Sequence, residues 1–209
     1  MSEYGKEPWV VEYHSFSELS DEKAKLSSIF SQCLEENLDY AEALETVRKN
    51  SMGRIWLISG AIFRTLLQKL YGHDSKIPDW DFMTEGITDQ ICVADGWEVG
   101  KNKFNNPRLK KEAVVIDLMP LGNFERFKIR GLEATIENYL LTAPLTIQAI
   151  AYDTESETLL GEMGIKSITE RTVAVNDERE FFYFAKRKGF ERTQLLLKVA
   201  EEFGLQVIL

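Results

Sequence analysis

The chain has 209 residues, of which 44% are hydrophobic and 28% charged, enough for one sizeable core with an ordinary globular surface. No apolar run approaches the roughly 18 residues that a membrane-spanning helix needs. The formal charge of −9 excludes a protein that grips long nucleic acid through its phosphates.

The charge is uneven. Residues 1–50 hold eleven acids against five bases, and the rest of the chain is nearly balanced. Basic residues cluster at Lys101, Lys103, Arg108, Lys110 and Lys111, at Arg126, Lys128 and Arg130, and at Lys186, Arg187 and Lys188. By charge patterning alone, each cluster reads as a solvated face. Cys33 and Cys92 lie far apart and read as buried free thiols. Besides them only His14 and His73 could ligate zinc, so no Cys/His site is expected. The opening "MSEYGKEPWVVEY" has no basic start followed by an apolar stretch, which makes the cytoplasm the expected compartment.

In chain order, Ser20 reads as an N-cap with Asp21 and Glu22 in the first turn, followed by Leu26, Ile29, Phe30, Cys33 and Leu34 at helical spacing. A second short helix is expected over Tyr40 to Lys49. The β-rich run Ile55 to Ile58 predicts a buried strand that ends at Ser59-Gly60. Ile62, Phe63, Leu66, Leu67 and Leu70 mark one face of a helix that Gly72 stops. Strands are expected over Asp79 to Thr84 and Ala113 to Leu121, with a hairpin or mobile loop over 100–112. A further apolar run covers Leu145 to Asp153. Glu178 to Leu209 reads as a helix pair broken at Gly189.

The expected fold class is therefore α+β, a mixed α/β arrangement in which a small mixed sheet carries flanking helices. Three segments are expected. Residues 1–50 form a helical N-terminal segment packed on the core, 51–175 the core itself, and 176–209 a C-terminal helical segment.

The chemistry begins with Asp79 and Asp81. On a strand, side chains at i and i+2 share a face, so the two carboxylates project together while Trp80 and Phe82 turn toward a core. Carboxylates held that close repel unless a cation lies between them, and hard oxygens in that arrangement suit Mg²⁺. Other acid-x-acid pairs, such as Asp153/Glu155 and Glu178/Glu180, sit in polar surroundings and read as surface. Asp79/Asp81 is flanked by apolar residues, and burying unpaired carboxylates is costly. Asp117 shares this peculiarity inside "VVIDLMPL". It reads either as a strand-end carboxylate capping a helix, or as a third ligand on a neighbouring strand about 4.8 Å away. Ser59-Gly60, at a strand-to-helix turn, reads either as an ordinary N-cap or as a phosphate cradle made of backbone amides.

The ordered set "LISGAIFRTLL…PDWDF…VVIDLMPL" resembles the head domain of the DNA polymerase β-type nucleotidyltransferases. The nearest likeness is to the tRNA CCA-adding enzymes and bacterial poly(A) polymerases. "LLTAPLTIQAIAYD" is similar to their Arg-Arg-Asp-Phe-Thr-x-Asn-Ala segment, and "YFAKRKGF" to the start of their neck helices. The resemblance implies a metal-dependent transfer of a nucleoside monophosphate from an NTP to an acceptor hydroxyl, which could belong to a small molecule, a protein or an RNA end. It implies Mg²⁺ or Mn²⁺ held by Asp79, Asp81 and Asp117, and nucleotide contacts from Ser59, Gly60, Arg64 and Gln148. The sequence departs from the pattern at Ser59, at Arg64 (one position late), at Thr142-Ala143-Pro144 in place of Arg-Arg-Asp, and at Gln148 in place of Asn. It ends soon after the neck would begin, so a stand-alone minimal enzyme is expected. A catalytically degenerate nucleotide-binding module and a metal-dependent phosphohydrolase are the other readings.

Overall fold

The computed structural model describes residues 16–74 and 76–208. The opening thirteen residues and His14 lie outside them. Two helices come first, α1 (Phe16–Glu35) and α2 (Leu38–Asn50). α1 starts upstream of Ser20, which is therefore an interior helical residue and not the N-cap that its side chain suggested. Asn37 caps α2, its side chain accepting from the amide of Tyr40. Leu26, Phe30 and Leu34 of α1 and Tyr40, Ala43 and Val47 of α2 are buried in the main core.

Strand β1 (Ser51–Ile58) runs into α3 (Gly60–Tyr71), and β2 (Trp80–Ile87) follows. A hairpin, β3 (Glu98–Lys101) and β4 (Pro107–Lys111), leads through a tight turn to β5 (Val114–Pro120). The segment 100–112 is thus an ordered hairpin and its exit. α4 (Glu125–Arg130) and α5 (Ile136–Leu141) come next. The apolar run Leu145 to Asp153 divides into a 3-10 turn, Thr146–Gln148, and β6 (Ala151–Asp153). Then come β7 (Thr158–Leu160), α6 (Glu162–Thr169), β8 (Thr172–Val173), α7 (Glu178–Lys188), α8 (Arg192–Phe203) and β9 (Gln206–Val207). α7 ends at Gly189 in the left-handed region, as the sequence predicts.

The main sheet has the order β3-β4-β5-β2-β1-β6-β7. Every neighbouring pair is antiparallel except β2 and β5, which are parallel. The fold is α+β with a mixed, mostly antiparallel sheet. One face bears the large core, with Leu57, Trp80, Phe82, Leu109, Ile116 and Leu118 meeting α1, α2, α3 and the C-terminal helices. The other face bears a smaller core of Trp56, Ile58, Met83, Leu121, Phe127, Ile136 and Leu140, covered by α4 and α5. Alternation along β2 and β5 puts Asp81 with Met83 and Asp117 with Met119 on this second face. The acids thus emerge where the α4–α5 layer stops covering the sheet.

Candidate active site

In the parallel β2/β5 pair, Asp81 stands opposite Asp117. Asp79 sits one residue before β2 and points the same way. One carboxylate oxygen from each of the three lies within 4.8 Å of the others. Asp117 is buried, while Asp79 and Asp81 are partly covered. Burial, then the neighbouring charges of Asp79 and Asp117, push the Asp81 carboxyl up to about 7. Asp117 is also raised, by burial, against the opposing pull of Arg108.

Arg108 is the feature that the sequence reading missed. The β4/β5 ladder sets it opposite Asp117. Its Nη1 donates to Asp117 Oδ2 at 2.9 Å, and its Nη2 lies 3.6 Å from Asp79 Oδ2. Asp117 Oδ1 is buried with no hydrogen-bond partner among the described residues. The donor set is hard oxygen, closely spaced and incompletely satisfied, so it fits a divalent cation such as Mg²⁺.

Asp81 and Asp117 line a cleft of about 420 Å³ with Ser59, Gln148 and four cations, Lys103, Arg108, Arg126 and Arg187. Each basic cluster of the sequence therefore contributes to one cleft, so those four are not merely a solvated face. The hairpin tip and α7 meet over it, where the Arg187 guanidinium lies 5.5 Å from the Phe104 ring. Burial and the charges of Arg187 and Lys188 hold the Lys103 ammonium below its ordinary value. Arg126 projects from α4 between Phe124 and Tyr139, with its guanidinium 4.8 Å and 4.9 Å from their ring centres. Its Nη1 donates to the Thr142 carbonyl at 3.2 Å, but Nε and Nη2 are buried without a hydrogen-bond partner among the described residues.

Ser59 links β1 to α3 with φ 54° and ψ −110°, and its side chain makes no capping bond. Ser59 occupies the N-cap position of α3, its carbonyl accepting from the Phe63 amide at 3.3 Å, but its hydroxyl caps nothing. Its amide donates to Ile150 O at 3.1 Å, which fixes the turn against the segment carrying Gln148. α3 begins at Gly60, whose open side faces no atom within 4 Å. Gln148 sits in the 3-10 turn with Oε1 buried and lacking a hydrogen-bond partner among the described residues. Its backbone support is tight. Gly161 has φ +99°, and a Cβ there would lie 2.1 Å from Ala149 O, so α6 can approach only through glycine.

Arg64 is the exception among the expected residues. It points to α8, where it pairs with Glu202 at 3.1 Å and stacks 4.6 Å from the Phe203 ring. α8 covers that face of α3, so Arg64 does not line the cleft. Asp81, Asp117, Ser59 and Gln148 are brought together in the cleft, Asp79 joins them through the carboxylate cluster, and Gly60 follows Ser59 at the start of α3.

No protein-family model and no curated protein matches the sequence. Solved structures do. A CCA-adding enzyme in complex with CTP superposes with TM-score 0.53 at 20% identity, covering 83% of this chain and 46% of that one. The Bacillus stearothermophilus CCA-adding enzyme in complex with CTP gives TM-score 0.56 at 17% identity, covering 82% and 41%. The fold is shared with CCA-adding enzymes. A further CCA-adding enzyme, in complex with ATP, covers 96% of this chain and 41% of its own, with TM-score 0.54 and 16% identity. This chain spans less than half the length of these CCA-adding enzymes. Among the described residues, no helix is long and apolar enough to cross a membrane.

Proposed function

We propose that the chain is a nucleotidyltransferase that moves a nucleoside monophosphate from an NTP to an acceptor hydroxyl. The observation that carries this is the convergence of the Asp79, Asp81 and Asp117 carboxylates beside a cleft that Asp81 and Asp117 line together with Lys103, Arg108, Arg126 and Arg187. A cleft that concentrates cations on a chain of net charge −9 is built for a compact polyanion. A triphosphate is such a polyanion, and the α3 N-terminus at Gly60 adds backbone amides and the positive end of a dipole.

In this reading the acceptor oxygen attacks the α-phosphorus, the bond to the bridging oxygen of the β-phosphate breaks, and pyrophosphate leaves with that electron pair. Asp79, Asp81 and Asp117 would hold Mg²⁺ or Mn²⁺, which when bound would supply charge stabilisation for the displacement. Asp117, the buried member of the trio, accepts the acceptor hydroxyl's proton. Lys103, Arg126 and Arg187 bind and orient the polyphosphate, and Ser59 and Gln148 contact the nucleotide. The cytoplasm suits such an enzyme as the source of NTP.

A second reading, a nucleotide-binding module without turnover, has one observation in its favour. Thr142 and Ala143 are each 1% exposed. Where the resembling family carries arginines, this chain carries packing residues.

The test is co-binding and transfer. Labelled NTP should bind with Mg²⁺, and Asp79→Asn or Asp81→Asn should abolish the metal-dependent part. NTP binding indifferent to both substitutions overturns the metal site. Phosphate or pyrophosphate release with no modified acceptor, in the presence of small-molecule, protein and RNA acceptors, points to hydrolysis instead.

A further inference from the structure

We propose that Arg108 is the resting counter-ion of the carboxylate trio and that it passes to the polyphosphate when a nucleotide enters, so that metal and nucleotide load together. This rests on the nucleotidyltransferase reading and adds its order of loading.

The geometry is that of a substitute cation. Arg108 reaches Asp117 at 2.9 Å and Asp79 at 3.6 Å, so it engages two of the three carboxylates that a divalent ion would need. A guanidinium and a divalent cation cannot share those carboxylates at close range without strong repulsion. The resting arrangement is also incomplete. The contact to Asp79 is longer than a hydrogen bond, and Asp117 Oδ1 has no partner among the described residues. Arg108 lines the cleft and leaves 41% of its side chain exposed. A change of side-chain rotamer therefore frees it without moving β4. Its fork matches a phosphate as well as a carboxylate, and Lys103, Arg126 and Arg187 already mark where the phosphates would lie. A metal ion arriving alone must displace Arg108 with nothing to receive it. A metal ion arriving with a polyphosphate meets a trio whose arginine has a new partner.

The test compares the parent protein with Arg108→Gln and Arg108→Lys, using Mn²⁺ as a spin probe at about pH 8. Without phosphate, Arg108→Gln should bind Mn²⁺ at least about tenfold more tightly than the parent, because a competing charge is gone. In EDTA, the same variant should bind inorganic tripolyphosphate about tenfold more weakly. Arg108→Lys keeps the charge but loses the fork, and should fall between the two in both measurements. Mn²⁺ binding by Arg108→Gln that equals or falls below the parent overturns the proposal while leaving the enzyme reading standing. If thermal melting shows Arg108→Gln unfolded, Arg108→Lys carries the test, and its failure to tighten Mn²⁺ binding overturns the proposal. Absence of Mn²⁺ binding to every protein, with and without tripolyphosphate, overturns both the proposal and the enzyme reading.

Discussion

Asp81 and Asp117 face each other across a parallel strand pair, with their carboxylates on the side of the sheet away from its larger core. Among the described residues Asp117 Oδ1 lacks a hydrogen-bond partner, and burial with the neighbouring carboxylates disfavours the charged form of both acids. The consequence is a dependence of stability on pH. The Asp81 carboxyl is raised from 3.8 to about 7, chiefly by burial. Between those values the folded chain keeps a proton that the unfolded chain has lost. Its stabilising contribution is complete below about pH 4 and is lost as pH rises through about 7. Asp117 acts in the same direction. In EDTA, the melting temperature should therefore fall from pH 5 to pH 8, and Asp81→Asn should flatten that fall. Adding Mg²⁺ should stabilise the parent more at pH 8 than at pH 6. A parent profile that rises over this range, or an Asp81→Asn profile identical to it, contradicts the assignment.

How much of this was legible beforehand follows from the range of the interactions. Helical periodicity and Gly72 give α3 almost to the residue, and period-two alternation puts Asp79 and Asp81 on one face. Those are local signals. Arg108 was not legible, because its role depends on the β4/β5 register. That register is set by a two-residue turn, Glu112-Ala113, with none of the usual turn residues. Glu112 takes φ 50° there without glycine's freedom. Counting outward from that turn would have paired Arg108 with Asp117. Arg126 and Arg187 come from clusters far apart in sequence, and only the tertiary fold brings one member of each to the cleft. Arg64 misled for the opposite reason, since nothing local announces that α8 will cover it.

Ser59 adopts a backbone conformation that glycine tolerates and serine does not, at φ 54° and ψ −110°. Such strain costs about 1–3 kcal/mol and persists where the surroundings enforce it. Ser59→Gly should therefore stabilise the protein by about 1 kcal/mol, read as a raised melting midpoint in EDTA. The same variant loses the hydroxyl assigned to the nucleotide, so NTP affinity should drop severalfold. Stability and binding should move in opposite directions. A variant that loses stability would mean that the hydroxyl, not the backbone, decides the energetics of this turn.

Arg126 and Arg64 provide a matched pair of substitutions. Arg126 lines the cleft, with Nε and Nη2 buried and lacking hydrogen-bond partners among the described residues, and with aromatic rings on two sides. Buried donors left unsatisfied are costly, so a ligand that accepts from them gains correspondingly. Arg126→Gln should weaken NTP binding by about tenfold or more, equivalent to at least ~1.4 kcal/mol, with Mn²⁺ affinity unchanged. Arg64 instead meets Glu202 and Phe203 on the far side of α3. Arg64→Gln should leave NTP binding unchanged and lower stability by about 0.2–1 kcal/mol, the range for a solvent-accessible ion pair. Titration of both variants with one NTP, alongside thermal melts, separates the two. Equal losses of NTP affinity would mean that the binding site reaches across α3, and the cleft assignment would fall.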